Sequence, residues 1–115
     1  MSEFLAARKR FAQFMEYDVA GAPLGFIEIS LRTDYVNGTE SSPVAFLEGI
    51  FVLPEARGSG VARRLVAEAE HWAKFMGCRE FASDAPLENT SSQAMHAALG
   101  FVETERVVFF RKALR

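Results

Sequence analysis

The stretch 47-LEGIFVLPEARGSGVARRL-65 holds the residues with the most chemical promise. Arg57, Gly58, Ser59 and Gly60 immediately precede a run with a helical apolar period, which puts them at a helix N-terminus. Such a terminus offers several backbone N–H groups that lack an intrahelical partner, and the macrodipole adds partial positive charge. Glycines let an anion reach that backbone without a Cβ in the way. Arg57, Arg63 and Arg64 add charge at either end of the turn. The combination suits a pyrophosphate. Neither G-x-x-x-x-G-K-[ST] nor G-x-G-x-x-G is present, so two familiar phosphate loops are excluded. A plain glycine-containing turn from strand to helix explains the short pattern equally well.

Two carboxylates stand at the ends of apolar segments, Glu48 and Asp84. Either could serve as a general base, directly or through an ordered water, a role worth ~10²–10⁴-fold in rate. The bland alternatives are a strand-edge carboxylate in water for Glu48 and a turn or cap residue for Asp84. The imidazole of His96 could donate a proton, but a helix histidine with a structural hydrogen bond is at least as good a description. His71 reads as a surface residue and Cys78 as a small buried hydrophobe. These three are too scattered for a metal site, and no zinc spacing is present.

The elements that must position these groups follow from periodicity. Phe4, Leu5, Phe11, Phe14 and Met15 lie close to helical spacing, which predicts a helix over 3–16. Residues 24–32 alternate, with Phe26, Glu28, Ser30 and Arg32 on one face and Ile27, Ile29 and Leu31 on the other, which predicts a strand. Residues 33–43 form a polar loop with an Asn37-Gly38 turn signal. Residues 44–53 read as a mostly buried strand, with Gly49 at a bulge or close approach, ended by Pro54. Val61, Ala62, Leu65, Val66, Ala69, Trp72, Ala73 and Met76 set a long helix over 60–76, capped by Gly77. A strand over 78–83, a helix from Asn89 or Thr90 to Leu99, and a strand over 101–112 centred on Val107, Val108, Phe109 and Phe110 complete the order. The sum is a mixed α/β fold, with residues 1–115 as one domain.

Composition narrows the partners. The 115 residues are 50% hydrophobic and 24% charged, as in an ordinary globular protein. A net charge of −2 gives no basic surface for nucleic acid, while converging carboxylates would still suit a cationic ligand. One cysteine precludes an intramolecular disulfide and fits a reducing cytoplasm. No apolar run reaches the ~18 residues of a membrane helix, and the first residues lack a signal-peptide pattern.

Arg57-x-x-Gly60-x-Ala62 matches the [QR]-x-x-G-x-[GA] motif of the GNAT superfamily of N-acetyltransferases, and His96-Ala97-Ala98-Leu99-Gly100-Phe101 resembles that family's second signature. From about residue 24 onward, DYVNGTESSPVAFLEGIFVLPEAR, GCREFASD and HAALGFVETERVVFFRKAL resemble one branch, the aminoglycoside 6'-N-acetyltransferases. Members of that branch begin with a further strand and helix, so the resemblance implies a GNAT fold shortened at its N-terminal side. It implies acetyl-CoA as cosubstrate and an aminoglycoside as acceptor, with no metal. Ile50, Phe51 and Val52 would follow the pantetheine arm by main-chain hydrogen bonds, with the Val52 N–H as a donor to the thioester oxygen. Gly58, Ser59, Gly60, Val61, Ala62 and Arg63 would hold the pyrophosphate, and Asn89 would make a polar contact with coenzyme A. Tyr35, Glu48, Asp84 and Glu105 would contact the aminoglycoside, and Asp84 or Glu48 would take the amine proton. The resemblance also implies a cytoplasmic homodimer joined through C-terminal strands. Two other functions stay open: a non-catalytic acetyl-CoA-binding or dimerisation module, and acetylation of another small polyamine.

Overall fold

The computed structural model describes residues 10–114. Strands β1 (Phe11–Tyr17), β2 (Pro23–Arg32) and β3 (Val44–Val52) lead through a 3₁₀ turn at Pro54–Ala56 into helix α1 (Val61–Phe75). Strand β4 (Phe81–Ala82) and helix α2 (Thr90–Ala98) follow. The chain divides after Asp84 into two compact units, the first holding the sheet and α1, the second α2 and the residues beyond it.

The sheet has the order β1-β2-β3-β4, antiparallel except for the parallel pair β3/β4. The alternation of 24–32 appears as expected: Ile27 and Ile29 are fully buried, while Glu28 and Arg32 are exposed. Helix α1 packs on β1, β2 and β3. Val61, Leu65, Val66, Ala69 and Ala73 are its buried stripe, in the positions that the 3.6 period demands. Ala73 and Ala45 meet Cys78, with Leu31, Trp72, Met76 and Phe81 around them. Burial raises the pKa of the Cys78 thiol, in keeping with a small core residue. The N–H of Gly77 closes the helix on Lys74 O, and that of Cys78 returns to Ala73 O.

Gly25 sets how closely these layers approach. A Cβ there would stand 2.5 Å from the Phe51 carbonyl oxygen and 3.3 Å from Val61 Cγ1. Only glycine lets β2 lie against β3 and the start of α1 at once.

Three expected elements are corrected. The helix over 3–16 does not form where it is described: residues 11–17 are a strand, and residues 3–9 lie outside the described residues. Phe11, Phe14 and Met15 do have helical spacing, but Ala12, Phe14 and Glu16 alternate with the more exposed Phe11, Gln13, Met15 and Tyr17. Pairing with β2 over Phe11↔Ser30 to Glu16↔Gly25 decides the matter. The strand over 101–112 is absent among the described residues. Val108, Phe109 and Phe110 have strand propensity and are exposed at 66%, 88% and 91%, but propensity makes no strand without a neighbour to complete its hydrogen bonds. The strand over 78–83 shrinks to Phe81–Ala82, which pair with Ala45 and Phe46.

Candidate active site

The site begins where the sheet opens. Leu53 N–H donates to Leu24 O at 2.9 Å, which fixes the phase of the β2/β3 ladder. In an antiparallel pair successive residues point their peptide groups in opposite directions. Gly49, Phe51 and Leu53 therefore face β2, while Ile50 and Val52 face the other way. On that side β4 stops at Ala82, level with Phe46. The N–H groups of Ile50 and Val52 thus border a gap in the sheet, where an extended ligand could take the place of a strand. Of the three residues expected along the pantetheine, Ile50 and Val52 turn their N–H groups to this gap and Phe51 turns its N–H toward β2. The Phe51 ring lies beside that of Phe26, with centroids 6.1 Å apart.

The turn after β3 holds the phosphate candidates. Pro54–Ala56 form one 3₁₀ turn, and Ser59 Oγ donates to Ala56 O at 2.5 Å. Gly58 and Gly60 have φ of 82° and 87°, left-handed values that a side chain would oppose. Gly60 is the N-cap of α1 and no side chain caps it. The first N–H groups of the helix, on Val61 and Ala62, therefore meet no capping side chain and face outward as an anion would need. Gly58 has open space where a Cβ would be, whereas at Gly60 the Arg64 Nη1 lies 2.9 Å from that position, so the turn is open at Gly58 and bordered by a guanidinium at Gly60. The three arginines divide. Arg57 Nε donates to Val52 O at 3.1 Å and pins the turn to the end of β3. Arg64 pairs with Glu16 and donates through Nη1 to Ser59 O, so its charge is committed to structure. Arg63 is exposed on the first turn of α1.

Glu48 owes its position to an irregularity. Glu28 pairs with Gly49, but Ile29 pairs with Leu47, so Glu48 is an extra residue in β3. The bulge stands one residue before the expected Gly49 and turns Glu48 toward the face of Ser30 and Arg32. Ser30 Oγ and Arg32 Nη2 both donate to Glu48 Oε2, at 2.5 and 2.8 Å. Partial burial works against the charge of Glu48, but these hydrogen bonds and the Arg32 cation outweigh it and lower its pKa. The guanidinium of Arg32 also lies over the Phe46 ring, 3.7 Å from its centroid. Sequence patterning placed Ser30 and Arg32 on this face but gave no sign of their role.

Asp84 is exposed just beyond β4. Tyr35 is 76% exposed on the 33–43 loop, beside a hollow of about 440 Å³ that Asp34, Glu40 and Ser41 also line. Val36 anchors this loop in a small cluster with Val44 and Phe46. Glu80 holds its far end, accepting from the Glu40 N–H at 2.9 Å and from the Ser41 hydroxyl. In the second unit, Asn89 Oδ1 accepts from the Ser92 N–H at 3.0 Å and caps α2, and Glu105 is exposed. His96 Nδ1 lies 2.7 Å from Ser92 O, and the ring meets Phe101 edge-on, a structural role. His71 is exposed on α1. Among the described residues no group of three or more His, Cys, Asp or Glu could hold a metal ion.

The chain is similar to several known proteins. The family model described as acetyltransferase (GNAT) family matches residues 2–101. The aminoglycoside N(6')-acetyltransferase type 1 of Serratia marcescens is 56% identical over 114 residues, 99% of this chain and 77% of that protein. The protein of the same name from Acinetobacter baumannii is 59% identical over 87% of this chain and 68% of its own length. Among solved structures, AAC(6')-Ih from Acinetobacter baumannii superposes with a TM-score of 0.88 at 52% identity, covering 99% of this chain and 79% of that one. AAC(6')-Iy in complex with the bisubstrate analogue CoA-S-monomethyl-acetylneamine superposes with a TM-score of 0.86 at 53% identity, covering 98% and 76%.

Proposed function

Because this chain belongs to the GNAT family of acetyltransferases, we propose that it transfers the acetyl group of acetyl-CoA to the 6'-amine of aminoglycosides. The observation that carries this is the junction of β3 and α1. Outward peptide groups at Ile50 and Val52 lead directly to an uncapped helix N-terminus, a thioester slot continuous with a diphosphate cradle. Kinship at more than half identity with aminoglycoside N(6')-acetyltransferases supplies the acceptor.

In this reading Gly58, Ser59, Gly60, Val61, Ala62 and Arg63 receive the pyrophosphate through main-chain N–H groups. The N–H of Ile50 borders the pantetheine. The N–H of Val52 donates to the thioester carbonyl and strengthens as that oxygen gains charge in the transition state. The acceptor amine must be neutral to attack, so a carboxylate takes its proton, directly or through water. Asp84 suits this role, being an exposed carboxylate just beyond β4 with no strong donor fixed to it among the described residues. Tyr35, Glu48 and Asp84 supply anionic and aromatic groups for a polyamine sugar, and Glu105 of the second unit is a further contact that the family resemblance supports. For Asn89, the capping bond uses Oδ1 and leaves the amide N–H₂ for coenzyme A. Val107, Val108, Phe109 and Phe110 favour a homodimer formed through this apolar segment. A lone, buried free thiol favours the cytoplasm. Among the described residues no helix is long and apolar enough to cross a membrane.

The test is thiol release from acetyl-CoA by the purified chain against an aminoglycoside panel. Release with kanamycin or tobramycin, and a product acetylated at the 6' position, is expected. Coenzyme A binding without turnover on any aminoglycoside would favour a non-catalytic module instead.

A further inference from the structure

Among the described residues Ser30 is the one buried polar residue, 3% exposed. Its partner is a carboxylate placed by a bulge, and that carboxylate uses a single oxygen for both Ser30 and Arg32. Among the described residues Glu48 Oε1 accepts no hydrogen bond. Arg32 is itself fixed against the Phe46 ring. A carboxylate held on one oxygen by two donors, one of them cationic, is rigid and keeps a defined lone-pair direction on the other. It also holds its negative charge firmly and gives up little of it to a proton.

We infer that Ser30 and Arg32 are positioning residues: they clamp Glu48, the carboxylate already proposed above as an aminoglycoside contact, so that its Oε1 receives an ammonium group and it does not serve as the base. This rests on the aminoglycoside reading of the site. Its consequence is a division of labour: Glu48 binds a charged amine that does not react, and the proton of the reacting amine leaves by another carboxylate. Burying Ser30 beside Glu48 would otherwise be costly, since a core strand gains nothing from a hydroxyl that serves no partner. Glu28, exposed on β2, carries its Oε1 4.0 Å from where a Cβ on Gly49 would stand, beside the bulge.

The experiment has a kinetic arm and a spectroscopic arm on the purified chain. In Ser30→Ala the KM for kanamycin should rise about tenfold, the scale of a lost hydrogen bond to a charged group. Its kcat and its KM for acetyl-CoA should stay near wild type. Ser30→Thr, which keeps the hydroxyl, should restore the KM. Glu48→Gln should raise the kanamycin KM further at little cost in kcat. In the second arm, carbon-13 NMR of the Glu48 carboxyl should show a pKa below the ordinary glutamate value, rising in Ser30→Ala, and a chemical-shift change on adding kanamycin. Loss of kcat without change in KM in Glu48→Gln, or a Glu48 signal indifferent to both Ser30→Ala and kanamycin, would overturn the inference. Absence of any thiol release by the wild type would instead count against the proposed function. The NMR arm would then still decide whether Glu48 is a clamped ammonium anchor.

Discussion

Arg64 on α1 grips Glu16 on β1 through two parallel hydrogen bonds, Nε to Oε1 at 2.7 Å and Nη2 to Oε2 at 2.8 Å. The same guanidinium donates to Ser59 O at 3.1 Å, so one side chain ties the outer strand to the turn proposed to hold the pyrophosphate. Arg64→Ala should therefore act in two ways. It should lower the thermal midpoint by a few degrees, since the pair is partly solvent-screened. It should also raise the KM for acetyl-CoA several-fold, by freeing the 58–60 turn, with less effect on the KM for the aminoglycoside. Steady-state kinetics with each substrate varied in turn would check this.

The same pair makes a statement about acid. Hydrogen bonds from Arg64, together with its charge, outweigh the effect of burial and lower the pKa of Glu16. A carboxyl whose folded pKa lies below its unfolded value contributes stability above the unfolded value, near 4.3 for glutamate. That contribution is lost as pH falls through the lowered folded value. Glu80 behaves likewise: hydrogen bonds from the Ser41 hydroxyl and the Glu40 N–H lower its pKa. On acidification from pH 6 to pH 3, the wild type should lose more stability than Glu16→Gln. The Glu40 amide should lose its hydrogen-exchange protection in the same range. Chemical denaturation at several pH values and amide exchange would measure the two effects.

Gly25 carries a steric prediction. With the Phe51 carbonyl oxygen 2.5 Å from a built Cβ, Gly25→Ala must push β2 away from β3 or from Val61. Overpacking of this kind costs about 1–3 kcal/mol. The displacement falls on the segment of β3 that carries Val52, so catalytic efficiency should fall more than stability alone explains. Urea denaturation alongside kinetics at a temperature where both proteins are fully folded would separate the effects.

How far the sequence reveals this molecule depends on where the deciding contacts lie. The stripe Val61, Leu65, Val66, Ala69 and Ala73 is legible because a helix writes its buried face into its own period. The glycine turn at 58–60 is legible for the same local reason. Phe11, Phe14 and Met15 mislead because a spacing of three and four residues also occurs by chance within an alternating strand, and only β2 settles the pairing. The bulge at Glu48 is hidden because it is a mismatch between two strands, and neither strand records it alone. The Ser30, Arg32 and Glu48 cluster depends on that bulge and is hidden with it. Gly25 is silent because its neighbours come from β3 and α1, far along the chain.

The last prediction separates two carboxylates that sequence alone treats as equals. β3 and β4 run parallel with Phe46 level with Ala82 as the final pair, and Glu48 and Asp84 each stand two residues further on. Both therefore reach the open end of the sheet, where Ile50 and Val52 present their N–H groups. Their surroundings differ. Glu48 is held ionised by Ser30 and Arg32, which makes it a poor proton acceptor, whereas Asp84 is exposed and, among the described residues, carries no such clamp. A general base is worth ~10²–10⁴-fold, so Asp84→Asn should lower kcat by a factor in that range with a smaller change in KM. Glu48→Gln should keep kcat and show its loss in KM for the aminoglycoside. If kcat instead collapsed in Glu48→Gln and survived in Asp84→Asn, the assignment of the two carboxylates would have to be exchanged.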